Sequence, residues 1–324
     1  MTPALEIGAI LQTIAGTVGV LKLVEVSTTA SKWLRGRSAD ANDAIGARRI
    51  LGITSPEDTA YRHDSVHSLY SGATELHPDN LRGLLAAAGT EYRKAAETNT
   101  LREVTNVAAS IAHNLVLIGS PTAEGLSRAV FGYVPHEQDS DSLVLDSPPV
   151  DLPFKWMLDK EAIDPRASAR RIVVGKGIVS RPNWQIAGPG ALYIPETDSD
   201  GFLATDYLLI TRMRNFLSPT ALDEGKYLVS LGGTHGTGTR AIERLVRDQG
   251  VLAQIGRALH KSPASFQVLI RVMKMNHEGE TGTHATRVEL ATDPVPLPDT
   301  ATTWDTAKRI AKSNLDRWLT GDGT

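Results

Sequence analysis

Apolar positions along this chain follow two patterns. Up to about residue 110 they recur at helical spacing. From residue 113 short apolar runs alternate with polar loops and further helical stretches, the signature of an α/β sheet. In the first region Ile7, Ile10, Leu11, Ile14, Val18 and Leu21 fall on one helical stripe, with a ridge of mostly small residues, Ala9, Gln12, Gly16 and Gly19, beside it. Ser55-Pro56-Glu57-Asp58 has the form of a helix start: a hydroxyl acceptor, proline in the first turn, then acids near the positive end. Leu81, Leu84, Leu85 and Ala88 share one face, as do Leu101, Val104, Val107, Ala108 and Ile111. This spacing predicts an apolar N-terminal helix over residues 1–37 and a helical region over 38–112.

The second region opens with the run Leu115–Ile118, then Gly119-Ser120-Pro121, then a helical pattern. The same order returns at Tyr227–Leu231, where the strand runs into "GGTHGTGTR" and a helix. Ser127-Arg128-Ala129-Val130 matches Thr239-Arg240-Ala241-Ile242 in type, which suggests a β-loop-α device used twice. Further strands are expected at 171–174, 191–194, 207–210 and 266–272. The alternating run 283–293 should pair antiparallel with the last of these through the turn 276–282. A closing helix is expected from Trp304 to Leu319, capped by Thr303 and stopped at Gly321. The proline- and acid-rich stretch within 133–168 reads as a linker or flap. Together these elements predict a mixed α/β fold over 113–324, with a Rossmann-like sheet flanked by helices and preceded by the N-terminal helical region.

Composition narrows the function classes. The chain has 324 residues, enough for one large or two smaller domains, and its 41% hydrophobic and 22% charged content is that of a folded domain. A net charge of −3 argues against general nucleic-acid binding. The absence of cysteine excludes disulfides, thiolate metal sites and a cysteine nucleophile. Fifteen uncharged residues, Ile7 to Leu21, fall short of the roughly 20 a spanning helix needs, and the start lacks the basic residues of a signal peptide. Lys32, Trp33, Arg35 and Arg37 follow, a basic and aromatic set suited to a membrane interface. The expectation is a cytoplasmic homo-oligomer, with peripheral contact at the inner face of the membrane through residues 5–37. A buried helix packed on the rest of the protein explains the same letters.

The glycine loop carries the strongest chemical signal. Glycines let successive N–H groups converge, and a helix beginning there adds its positive end, which suits phosphate or carboxylate. The expected ligand contacts are Gly119, Ser120 and Arg128 from the first device. Gly232, Gly233, Thr234, Gly236, Thr237, Gly238, Thr239 and Arg240 come from the second. A tight strand-to-helix turn with threonine caps accounts for the same residues. No Gly-Lys-Ser/Thr ending marks a phosphate-binding motor loop, and the G-x-G-x-x-G spacing of dinucleotide folds is missing. His235, in mid-loop, is the candidate catalytic residue, with Asp206 and Glu243 as possible acids that nothing in the sequence positions. The pairs His63/His67 and His277/His284 (the latter with Glu278 and Glu280) lack a metal-site pattern, so no metal is expected.

In general organisation the chain resembles proteins that join a Rossmann-like nucleotide-sensing or nucleotide-cleaving domain to a helical effector segment, as in bacterial defence and signalling. That resemblance implies a small nucleotide- or phosphate-bearing ligand whose binding controls the N-terminal helix. The alternative is a hydrolase of a nucleotide, glycosidic or ester bond that uses His235. No particular cofactor is indicated.

Overall fold

The computed structural model describes residues 59–62 and, with interruptions at 122–124, 137–138, 159–175, 181–190, 260–262 and 277–283, residues 111–320. The apolar stripe of residues 1–37, the basic-aromatic set after it, both histidine-pair expectations and the expected strand 171–174 lie outside the described residues, apart from His284. Among the described residues no helix is long and apolar enough to cross a membrane.

The fold is mixed α/β, built on a large sheet. Its central path runs through β1 (Thr59–Arg62), β2 (Asn114–Ile118), β10 (Tyr227–Gly233), β9 (Leu203–Arg214), β11 (Phe266–Asn276) and β12 (His284–Leu290) in that spatial order. The first three are mutually parallel and the remaining neighbours antiparallel. Two short strands, β8 (Glu196–Thr197) and β13 (Val295–Pro296), join β9 and β11 respectively. A second, antiparallel sheet contains β3 (Tyr133–His136), β4 (Asp139–Leu145), β5 (Phe154–Leu158), β6 (Lys176–Ser180) and β7 (Leu192–Tyr193). The helices are α1 (Gly125–Phe131), α2 (Pro219–Asp223), α3 (Gly236–Arg247), α4 (Gln249–Ala258) and α5 (Ala301–Thr320).

Side chains of the large sheet alternate between two cores, as strand geometry requires. Leu208, Ile210, Val229, Leu231 and Val268 face α3 and α4, where Ile242, Leu245 and Leu252 cover them. Leu209, Met213, Leu228 and Leu269 face the other way, toward α1, α5 and the second sheet, against Val130, Ala307, Phe154 and Trp156. Nearly every residue of β9 is buried, which fits a strand covered on both faces.

Polar side chains fasten the layers. Gln267 is fully buried; its Oε1 accepts from Phe154 N at 2.8 Å, and its Nε2 donates to Phe154 O at 3.3 Å and to Thr211 Oγ1 at 2.9 Å. One amide thus ties the second sheet to the first. Gln267→Leu should lower stability by about 2–4 kcal/mol, because it strands the buried polar groups of Phe154 and Thr211. An unfolding free energy in urea within about 0.5 kcal/mol of the parent's, at equal slope, would refute this role. Within the second sheet the Tyr133 hydroxyl accepts from Trp156 N at 2.7 Å and donates to Trp156 O at 3.2 Å. Burial pushes its ionisation well above the usual tyrosine range.

Three local expectations are corrected. Thr59–Arg62, placed in a helix by the cap-like residues before it, is a parallel strand on β2. Pairing with a buried neighbour outweighs a local cap signal, and Thr59 and Tyr61 suit a strand. The stretch expected to be a linker or flap carries β3, β4 and β5 within 133–158. Its strands are short and rich in polar residues, and it is their antiparallel pairing with one another that sets them as strands. The closing helix begins at Ala301, with Thr300 rather than Thr303 as its hydroxyl acceptor: Thr300 Oγ1 accepts from Thr303 N at 3.2 Å.

Candidate functional site

The two β-loop-α devices are neighbours in space. β2 and β10 lie side by side and parallel, with Leu231 beside Ile118 and Gly119 N donating to Leu231 O at 2.9 Å. Their helices leave in opposite directions: α1 belongs to the core on one face of the sheet, and α3 to the core on the other. The two loops therefore part at the carboxyl ends of the strands. A crevice outside such a parting is where ligands enter open α/β sheets.

The consecutive glycines are explained by this divergence. A Cβ on Gly232 would meet Gly119 O and the Ser120 backbone at 3.0 Å, on the side where the first loop departs. A Cβ on Gly233 would lie inside 3.0 Å of Thr239 N, His235 O and Gly238 C, on the side where α3 turns back. Each glycine makes room for one departing chain. Gly119 itself adopts a φ of 122°, a conformation that side-chain-bearing residues rarely take. Gly238 is equally confined, with Tyr207 O and Asp206 Oδ2 inside 3.0 Å of a Cβ there.

The start of α3 is held by one carboxylate. Asp206, on β9 and fully buried, shares a face with Leu208 and Ile210. Its Oδ2 accepts from Gly238 N at 2.6 Å, and its Oδ1 accepts from Tyr207 N at 2.9 Å and from the Thr234 hydroxyl. His235 Nδ1 lies 3.4 Å from the same Oδ1. The anion at the positive end of α3 is thus the protein's own. A buried carboxylate with this many donors is fully compensated, and its charge complements the helix end.

The expected contact residues now divide. Gly233 N donates to Thr239 Oγ1 at 2.9 Å, so Thr239, with Thr234 and Gly238, works inside the turn. Arg128 Nε donates to Pro121 O at 2.8 Å and so braces its own loop. Arg240 is half-buried in the body of α3. The remaining expected contacts are the buried Gly119–Ser120 turn and the half-buried His235, Gly236 and Thr237. The N–H groups of Gly236 and Thr237 belong to the first turn, where no carbonyl of the helix can reach them. Asp206 was the residue the sequence could not place. A lone acid within the apolar run of β9, in phase with Leu208 and Ile210, is the signal that marks it.

On the other face, the Tyr207 ring meets the Tyr193 ring edge to face at 5.7 Å, and Arg271 stands opposite Tyr207 on β11. The Arg271 guanidinium reaches Glu196 at 3.4 Å and Glu289 at 3.9 Å. Burial raises the Tyr207 hydroxyl's ionisation above its usual range, partly offset by Arg271. Among the described residues no cluster of histidine and acidic side chains could hold a metal ion.

Comparison with protein-family models, with curated proteins and with solved structures finds no match to this chain.

Proposed function

We propose that this protein binds a small phosphate-bearing, nucleotide-like ligand in the crevice beyond β2 and β10, and that the bound state is signalled to its N-terminal region. The observation that carries the reading is the parting of two parallel neighbours, whose loops leave toward opposite faces at Gly119 and Gly233. In this reading the parallel part of the sheet works as a Rossmann-like half. The ligand contacts are Gly119 and Ser120 on one side and His235, Gly236 and Thr237 on the other. Asp206 keeps a phosphate off the inner N–H groups of α3, so the charge meets the helix at its outermost turn.

Support for signalling is the strand β1, which pairs along β2 from Thr59↔Asn114 to Arg62↔Leu117. The strand that carries the Gly119–Ser120 loop is therefore hydrogen-bonded to a segment from the N-terminal region. An oligomer or a peripheral membrane contact formed through residues 5–37, of the kind used in bacterial defence, is the output this arrangement would serve.

The test is calorimetric titration of the full chain with a panel of linear and cyclic nucleotides, NAD and inorganic phosphate. We expect saturable binding of at least one member. His235→Ala and Thr237→Ala should each weaken it by about tenfold or more while leaving the melting temperature within about 2 °C of the parent's. If no member binds, or if both variants bind as the parent does, the site is wrong.

A further inference from the structure

The short strand β8 stands in line with β10, beyond its carboxyl end. β11 occupies one side of β9 as far as Thr205, opposite Met273. β10 occupies the other side and stops at Gly233, opposite Leu208. Glu196 and Thr197 pair with Thr205 and Leu203, so they lie on the β10 side. Three residues of β9 separate Leu208 from Thr205, which puts Glu196 about 10 Å past Gly233 along the strand. Thr205 shares a face with Tyr207 and Leu209, and Glu196, directly opposite Thr205, shares it too. The first loop leaves over that face: Gly232, next to the α3-facing Leu231, would meet the Ser120 backbone with a Cβ. Ser120 and Glu196 thus bracket one stretch of the crevice, with Tyr207 between them.

The Glu196 carboxylate is held in place without being used up. Oε2 accepts from Thr205 Oγ1 at 3.0 Å and from Arg271 Nη2 at 3.4 Å. Oε1 accepts from no described residue, and the side chain is 60% exposed. Across the sheet the ion pairs Glu196–Arg271–Glu289–Arg287 form a row that is neutral overall. Glu196 is its member nearest β10.

We infer that Glu196 reads the sugar of the bound ligand, and that the ligand is a ribonucleoside 5′-phosphate whose sugar hydroxyls are free. The inference rests on the ligand site proposed above. With its phosphate at the Gly119–Ser120 turn and the outer turn of α3, the ligand extends its sugar toward β8. A sugar hydroxyl then donates to Oε1. Two hydrogen bonds of about 2.8 Å, with a phosphate and a sugar in series between them, span the distance. Thr205 and Arg271 already fix the side chain, so little rotamer freedom is lost on binding. The carboxylate only accepts, so it selects an O–H donor. A deoxy sugar leaves Oε1 without that donor, and a phosphate ester on the same sugar oxygen sets like charges together.

The experiment adds matched sugars to the calorimetric panel: the four ribonucleoside 5′-monophosphates and their 2′,3′-dideoxy counterparts, titrated into the full chain and into Glu196→Ala. For at least one base the parent should bind the ribonucleotide about tenfold or more tighter than the dideoxynucleotide. In Glu196→Ala that ratio should fall to within about twofold, through loss of ribonucleotide affinity, while the dideoxynucleotide binds as it does to the parent. Ribonucleotide and dideoxynucleotide binding the parent equally overturns the role of Glu196 and leaves the ligand site standing. A ratio that persists in Glu196→Ala also overturns it, since the hydroxyls are then read elsewhere. So does binding confined to panel members with no free sugar hydroxyl. Absence of binding by every nucleotide and by inorganic phosphate overturns the site, and the inference with it.

Discussion

Gly233→Ala is expected to cost about 4 kcal/mol or more and to unseat the start of α3. The added Cβ has nowhere to go, since it would lie inside 3.0 Å of three backbone atoms: Thr239 N, His235 O and Gly238 C. Flexible side chains yield to such an intrusion at modest cost, but backbone does not. The helix would have to lift, breaking the Gly233 N to Thr239 Oγ1 bond and drawing Gly238 N away from Asp206. The same substitution at Gly256 supplies the contrast. That residue is exposed in α4, and nothing lies within 4 Å of its added Cβ. There alanine should stabilise by about 0.5–1 kcal/mol through helix propensity alone. Denaturant melts of the two variants should move in opposite directions. A Gly233→Ala melt within about 1 kcal/mol of the parent would mean that the turn is looser than its packing implies.

Asp206→Ala should be the next most damaging change, at about 3–5 kcal/mol. It removes the only acceptor described for Gly238 N and the acceptor toward which the Thr234 hydroxyl is turned. Each buried donor left without a partner costs on the order of 1–3 kcal/mol, and the positive end of α3 loses its compensating charge as well. The loss should be local before it is global. Amide exchange is expected to quicken at Gly238 and Thr239 while the strand amides of β2 and β11 stay protected. Uniform loss of protection would place Asp206 in the general core rather than at this one junction.

Much of the sheet could be read from the sequence because its strands are long apolar runs. The pairing of β11 with β12, and the two strand-loop-helix devices at 114–131 and 227–247, follow from local pattern. What was not legible depends on pairing that the local pattern does not reveal. The strands of the second sheet are short and half polar, and only pairing across the sheet distinguishes them from a loop. β1 is a strand because β2 lies beside it, not because of its own residues. The glycine loop was legible as a place where chains crowd, yet its letters could not tell a bound phosphate from a buried carboxylate. The answer lay on β9, where Asp206 stands 27 positions before Gly233 in the chain and meets the same turn in space.

The central claim is that the parting of β2 and β10 is a ligand site, and amide chemical-shift mapping tests it most directly. On titrating the full chain with the nucleotide that binds most tightly, the account predicts saturable shifts at Gly119, Ser120, His235, Gly236 and Thr237. The edge strand β12 should be unaffected. Shifts confined to another surface, with these five amides unmoved at saturation, would contradict it.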